Sequence, residues 1–155
     1  MEENEKPVPT AEYMPLMGTF RHNVDSKNRL FIPAKHRSIL GASFVIFPSI
    51  RDKSLKAFSR PEWEEYIKPT DDIDRKYLEK LNRFYNGQAI TVTPDAQGRV
   101  VLTPELIAYA GLGAGNAVII GCGHYSEIWS EENLRAEEES SDMAELIAVL
   151  EDRGL

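Results

Sequence analysis

Residues 25–37 read DSKNRLFIPAKHR, and seventy positions later residues 95–107 read DAQGRVVLTPELI. A chain that repeats one phrase at such a distance contains two copies of one supersecondary unit, and neither unit need bury its apolar face alone. Asn28 and Gly98 hold the same place in the two copies, and both residue types accept the left-handed backbone that tight turns demand. Each copy is therefore expected to carry a β-hairpin at this turn. The elements around it repeat in the same order.

In the first copy, Met17–Val24 and Arg29–Pro33 have strand character, and Ala34–Leu40 is a short helix stopped by Gly41. Phe44–Phe47 and Lys56–Phe58 are further strands, and Ser59 caps a helix with Pro61 just inside it. In the second copy, Ile90–Thr93 and Arg99–Leu102 are strands and Pro104–Ala110 is a helix ending at Gly111. Ala117–Ile120 and Glu127–Trp129 are strands, and Ser130 caps Glu131–Glu139. Between the copies, Asp71–Tyr85 reads as a helix with Ile73, Tyr77, Leu81 and Phe84 on one stripe. After them, Asp142–Leu150 places Met143, Leu146, Ile147 and Leu150 at i, i+3, i+4 and i+7. Such a terminal amphipathic helix ordinarily docks on its own domain, and less often serves a subunit interface.

The expected fold is thus α+β and β-rich, with duplicated ββαββα units plus linker and C-terminal helices. The divisions are a flexible N-terminal extension (1–16), a first repeat (17–64), a linker helix (65–87), a second repeat (88–133) and an acidic helical tail (134–155).

The 155 residues carry a formal net charge of −7, a value that alone disfavours a polyanionic partner. The average conceals a division. Residues 17–60 hold nine basic and two acidic residues, whereas residues 89–155 hold three basic and twelve acidic. Polarity between halves of a chain points to an anionic partner on one face. One cysteine, Cys122, cannot form an internal disulfide. The N-terminal segment lacks the basic and apolar regions of a signal peptide, and no apolar run approaches the ~20 residues of a membrane helix. A cytoplasmic protein is expected.

The duplication also serves as an internal comparison. Asp25 and Arg29 recur as Asp95 and Arg99, and Gly41 recurs as Gly111. The other basic residues do not recur. Arg21, His22, Lys27, Lys35, His36 and Arg37 become Thr91, Val92, Gln97, Glu105, Leu106 and Ile107. Features kept in both halves read as structural, so Asp25, Asn28 and Arg29, with Asp95, Gly98 and Arg99, form a hairpin motif. Features of one half are candidates for function, so the first copy is expected to face DNA and the second to supply scaffold. A two-stranded ribbon fits the major groove, where Arg21, Lys27 and Arg29 would offer donors to guanine. Lys35 and Arg37 suit phosphate contacts that set register, and His22 and His36, in the same basic segment, are candidates to join a phosphate contact, although lone histidines are more often plain surface residues. Arg29 stays open between the two roles: its recurrence argues for structure and its position for base contact.

Asp-x-x-x-Arg before a short apolar strand, a Pro and a short helix, present twice, resembles the MraZ family of bacterial transcriptional regulators. More broadly it resembles the AbrB/SpoVT swapped-hairpin DNA-binding fold, a β-barrel. The match covers roughly residues 17–133. It departs at Thr103, where a Pro is expected, and at Asn28, where a Gly is. The resemblance implies ring-shaped homo-oligomers, associated with the nucleoid, that bind G-rich direct repeats in double-stranded DNA. Those repeats would lie upstream of the division and cell-wall gene cluster, which includes the regulator's own gene.

Other patterns carry less. GLGAGN (Gly111–Asn116) follows a helix and opens a strand, the reverse of a dinucleotide fingerprint. Cys122 and His124 are two ligand types without the further partners a metal site needs. Trp63 and Trp129 read as core anchors. Without a nucleophile–base signature or a phosphate loop, the chain is expected to be no enzyme and to use no cofactor, metal, membrane or small-molecule substrate. The alternative is an oligomeric scaffold without DNA binding, or an enzyme on a related β-barrel.

Overall fold

The structure, a computed structural model, describes residues 14–68 and 72–155. Most of the proposed N-terminal extension (residues 1–13) and Asp71 lie outside the described residues. The first copy supplies β1 (Thr19–Asn23), β2 (Arg29–Phe31), α1 (Ala34–Leu40), β3 (Phe44–Pro48), β4 (Leu55–Ser59) and α2 (Arg60–Tyr66). After α3 (Arg75–Gln88), the second copy supplies β5 (Ile90–Val92), β6 (Arg99–Val101), α4 (Pro104–Ala110), β7 (Asn116–Gly121), β8 (Ser126–Ser130) and α5 (Glu131–Ser140). Helix α6 (Met143–Asp152) completes the mixed, internally duplicated α+β chain. Among the described residues, no helix is long and apolar enough to cross a membrane.

The local signals act where the sequence places them. Ser59 Oγ accepts the Glu62 N–H at 3.3 Å, and Ser130 Oγ accepts the Asn133 N–H at 3.0 Å, so both helices start at a capping serine. Gly111 closes α4 with a left-handed φ of 68°. Leu112–Ala114 then forms a 3-10 turn leading into β7, so GLGAGN is a helix stop and a turn. The linker helix begins later than expected: Asp74 sits at its N-cap and Ile73 stands outside it. Its buried residue is Tyr85, off the expected stripe, while Tyr77 is exposed.

The expected hairpin ladder does not form. The turns exist, but each strand continues away from its neighbour in sequence and pairs with the other copy. β1 pairs antiparallel with β7, β2 with β6, β3 with β5, and β4 with β8. Among the described residues, only β3–β4 and β7–β8 pair within a copy. The larger sheet runs β1-β7-β8-β4-β3-β5, and β2-β6 is a separate two-stranded ribbon. Exchanging the two copies in the six-stranded order and reversing it returns the same order, so the duplicated sequence folds with approximate twofold symmetry. Each copy's first strand is lent to the partner copy's sheet.

The interior follows the same logic. Leu30, Ile32, Leu102 and Val100 from the ribbon region pack with Phe44, Ile46, Leu106, Ile119 and Ile128 in one cluster. Burying side chains of this kind contributes about 1.5–3 kcal/mol each, and here both copies share the stabilisation. A second cluster joins Val45, Phe47, Phe58 and Tyr85, with Trp63 against it, while Trp129 is buried.

His36 is not the surface basic residue its neighbourhood suggests. It is 1% exposed, the place that Leu106 fills in the second copy. Its Nε2 lies 2.8 Å from the Met17 carbonyl, its Nδ1 2.9 Å from Ser126 Oγ, and Phe20 meets its ring edge-on. The carbonyl can only accept, so the Nε2–H donates to it, and in the neutral ring Nδ1 accepts from the Ser126 hydroxyl. One buried imidazole thereby ties α1 to β8 and to the segment before β1.

Leu16 is buried and pairs with Gly123, bringing the entering chain across the end of β7. A Cβ built on Gly121 would stand 2.3 Å from the Met17 N and 2.4 Å from the Leu16 carbonyl carbon. Both obstacles are backbone, so the chain itself would have to move. Gly121→Ala is expected to cost about 2 kcal/mol or more, read as a lower denaturation midpoint; an unchanged midpoint would contradict this close approach.

Candidate nucleic-acid interface

Each Asp-x-x-x-Arg phrase folds into a turn built around its own carboxylate. In the first copy, Asp25 Oδ1 accepts the backbone N–H of Lys27 and of Arg29, both at 2.9 Å. Asp25 Oδ2 accepts the Arg29 Nε–H at 2.7 Å. The backbone closes from the Asp25 N–H to the Arg29 carbonyl at 2.9 Å. The second copy repeats the pattern: Asp95 Oδ1 accepts from Gln97 and Arg99 N–H at 2.9 Å, and Oδ2 from Arg99 Nε–H at 3.0 Å. Asn28 (φ 64°) and Gly98 (φ 83°) supply the left-handed residue in the two turns.

The electrostatics follow from these bonds. The Arg29 backbone N–H first, then the Arg29 guanidinium and the Lys27 N–H, hold the Asp25 carboxyl below its ordinary value. For Asp95 the order is the Arg99 N–H, the Gln97 N–H and the Arg99 side chain. Each carboxylate grips the Nε edge of its arginine. Among the described residues, the terminal Nη nitrogens of Arg29 and Arg99 make no hydrogen bond.

The two turns stand at opposite ends of the β2–β6 ribbon. Arg29 faces Val101, Leu30 faces Val100, and Phe31 faces Arg99 across the ladder. Side chains alternate across a strand. Leu30 and Val100 are therefore buried, while Arg29, Phe31, Arg99 and Val101 share the outer face, Val101 being 60% exposed. That face combines two oriented guanidinium groups with two apolar side chains, a set suited to a base-edged groove. Phe31, Arg99 and Val101 were not among the functional candidates. The signal was present as a period of two in Arg-x-Phe and Arg-x-Val, but it does not show that two distant strands form one surface.

The other candidates divide by position. Lys27 is exposed at the tip of the first turn, and Lys35 is exposed on α1. His22 packs its ring against Phe31 at 4.8 Å between centroids. Arg37 donates its Nε–H to the Ile32 carbonyl at 2.8 Å, and its guanidinium carbon lies 5.5 Å from the centre of the Phe31 ring. A Cβ on Gly98 would stand 2.8 Å from that same carbon, so Arg37 of the first copy lies against the turn of the second. Arg21 is exposed on the opposite face of β1 from His22, with its Nε 3.8 Å from Glu131 Oε1. The structure thus gathers Asp25, Lys27, Asn28 and Arg29 at one end of the ribbon, sets His22 and Arg37 against Phe31 toward the other end, where Arg37 meets the second turn, and places Arg21 apart from both.

Further along the basic segment, the ammonium groups of Lys53 and Lys56 lie 4.3 Å over the rings of Tyr109 and Tyr125. His124 Nδ1 lies 2.9 Å from Glu62 Oε2, and burial pushes the Cys122 thiol up to about 12. Among the described residues, no group of three metal-ligating side chains comes together.

The model of the MraZ protein family matches the chain twice, at residues 16–81 and 86–153. A transcriptional regulator MraZ of Leuconostoc citreum is 36% identical over 119 residues, 76% of this chain and 82% of that protein. That of Desulforapulum autotrophicum is 34% identical over 138 residues, covering 83% and 94%. That of an Acidovorax species is 32% identical over 133 residues, covering 84% and 92%.

Two outcomes test the turns. Carboxyls held low in the folded state stabilise it above their ordinary value of 3.8, and that contribution disappears as the pH falls below 3.8. Thermal melts of Asp25→Asn/Asp95→Asn should show a lower melting temperature at pH 7 and a flatter decline below pH 4 than the parent. Gly98→Ala should cost about 1–2 kcal/mol from its left-handed backbone. Arg37→Ala, by freeing the space beside that Cβ, should recover any excess over this figure in a double-mutant cycle.

Proposed function

The chain belongs to the MraZ family, and from that premise we propose that it is a DNA-binding transcriptional regulator, not an enzyme, whose β2–β6 ribbon enters the major groove. The observation carrying this reading is the ribbon's outer face. Arg29 and Arg99 are each held at Nε by a carboxylate, with Nη nitrogens unengaged among the described residues. A two-stranded ribbon fits the major groove, and guanidinium donors match guanine O6 and N7. Each such pairing discriminates by about 1–3 kcal/mol. The carboxylate fixes the arginine before DNA arrives, so less side-chain freedom is lost on binding.

Specificity and affinity then fall to different residues. Arg29 reads bases, while Lys27 and Lys35 neutralise phosphates and set register. Arg21, beyond the ribbon, takes a flanking phosphate. His22 and Arg37 contribute through Phe31, the apolar side chain they hold in place. The target is a set of G-rich direct repeats upstream of the division and cell-wall genes, the regulator's own gene among them, and the protein acts in the cytoplasm on the nucleoid. A ring of subunits would present several ribbons to spaced repeats, raising the effective concentration of each weakly bound ribbon. The acidic C-terminal helices would confine DNA to one face of that ring.

Fluorescence anisotropy with DNA from upstream of the protein's own gene, against a scrambled duplex, separates these roles. Arg29→Lys keeps a cation beside Asp25 but removes the planar fork, so it should abolish most of the preference for the native duplex. Lys27→Ala/Lys35→Ala should keep that preference and flatten the salt dependence by roughly 0.9 for each phosphate no longer neutralised. Equal binding of the two duplexes by the wild type would overturn the assignment, and equal affinity for one repeat and for an array would remove the ring.

A further inference from the structure

The outer face of the β2–β6 ribbon holds two apolar side chains that the core does not explain. Val101 is 60% exposed, and Phe31, its equivalent in the first copy, is half-buried. Leu30 and Val100, on the inner face, already supply the ribbon's buried contacts. A single exposed apolar residue needs no explanation. Two at equivalent positions, each facing an arginine across the ladder, call for one.

The ladder sets how close those neighbours stand. Leu102 donates its N–H to the Asn28 carbonyl at 2.8 Å, and Ile32 donates to the Gly98 carbonyl at 2.9 Å. Bonded and non-bonded rows alternate in an antiparallel pair. Arg29–Val101 and Phe31–Arg99 are therefore the non-hydrogen-bonded rows, in which facing side chains approach most closely. Each row presents one guanidinium and one apolar group side by side. The rows lie about 7 Å apart, more than the ~3.4 Å rise of one base pair, so they address different base pairs. Phe31 is held in its row by the His22 ring, 4.8 Å away between centroids, and by the Arg37 guanidinium carbon at 5.5 Å from its centre.

An occupant of this face has to offer apolar surface and hydrogen-bond acceptors within a few ångströms of each other. An apolar patch on another protein would strip water from both guanidinium groups without replacing it. The major groove supplies both chemistries: guanine presents O6 and N7 to a guanidinium, and thymine presents its C5-methyl group to an apolar side chain. We propose that Val101 and Phe31 read thymine, each through the methyl group of a base pair beside the guanine taken by the arginine in its row. The inference rests on the DNA-binding reading of the ribbon and adds a second base to what the ribbon selects. Guanine alone is then an incomplete target; guanine with thymine next to it is the preferred one.

Deoxyuridine keeps every hydrogen-bonding group of thymine and lacks only the methyl, so it isolates this contact. Each thymine in the duplex from upstream of the protein's own gene is replaced in turn, and binding of the full chain is read by fluorescence anisotropy. Replacing the thymines met by Val101 and Phe31 should weaken binding about fourfold each, the worth of one buried methyl-sized group. Val101→Ser, at an exposed position, should lose its sensitivity to one of those replacements and retain it at the other. Phe31→Ser should show the converse; Val101→Ser carries the test alone if loss of the ring disturbs the fold. A wild type indifferent to every replacement would overturn the proposal. So would a Val101→Ser variant with full sensitivity at both thymines, because the effect would then belong to the duplex. Unmodified and scrambled duplexes, measured alongside, separate the two readings. A wild type that binds these two equally fails the DNA reading itself; one that prefers the native duplex yet ignores the methyl groups fails the inference alone.

Discussion

Neither copy of the duplicated unit can satisfy its own strands. β1 and β2 leave their shared turn in directions that expose their backbone hydrogen-bonding groups to the other copy, and β7 and β6 receive them there. The same holds for β5, which pairs with β3. A buried N–H or carbonyl without a partner costs about as much as a missing hydrogen bond, so the copies must fold together. This exchange explains why the main core draws on both halves, and why the ribbon has a turn from each copy at its two ends. It also sets the position of the arginines: Arg29 and Arg99 share a face because β2 and β6 share a ladder.

On that symmetrical frame the chemistry is asymmetrical. His36 and Leu106 fill equivalent core positions, one through hydrogen bonds to Met17 and Ser126 and the other through apolar packing alone. Arg37 and Ile107 are equivalent as well, yet Arg37 crosses to Phe31 and lies against Gly98. Gly98 therefore meets two demands at once, a left-handed backbone and a guanidinium in the space of a side chain. The two copies thus share the hydrogen-bonded frame, while the first alone carries these cations at its surface and inside its joints. A basic residue in the first copy is accordingly no proof of binding to DNA, since Lys53 and Lys56 already lie over tyrosine rings.

The charge segregation takes on a spatial meaning. Acidic residues concentrate on α5 and α6, distal to the second copy's last strand, and basic residues on the first turn, α1 and α3. Charges so arranged repel DNA from one part of the surface and favour approach at another.

The sequence by itself determined most of what depends on near neighbours, the start of the linker helix excepted. The capping serines at 59 and 130, the left-handed Asn28 and Gly98, the stops at Gly41 and Gly111, and the order of the elements follow from bonds spanning a few residues. The repeat of the phrase was enough to show that the fold is duplicated. Which strand pairs with which was decided only in three dimensions. A period of two shows that a strand has a buried face, but it is the same whether the partner lies ten residues away or seventy. For that reason a hairpin was expected where strands are exchanged, Phe31 and Val101 escaped notice, and Arg99 was read only as part of its own turn. The burial of His36 was likewise invisible, because its partners Met17 and Ser126 are remote in sequence. Local bonds write themselves into short words; the pairing of distant strands is settled by which arrangement buries both copies' apolar faces together.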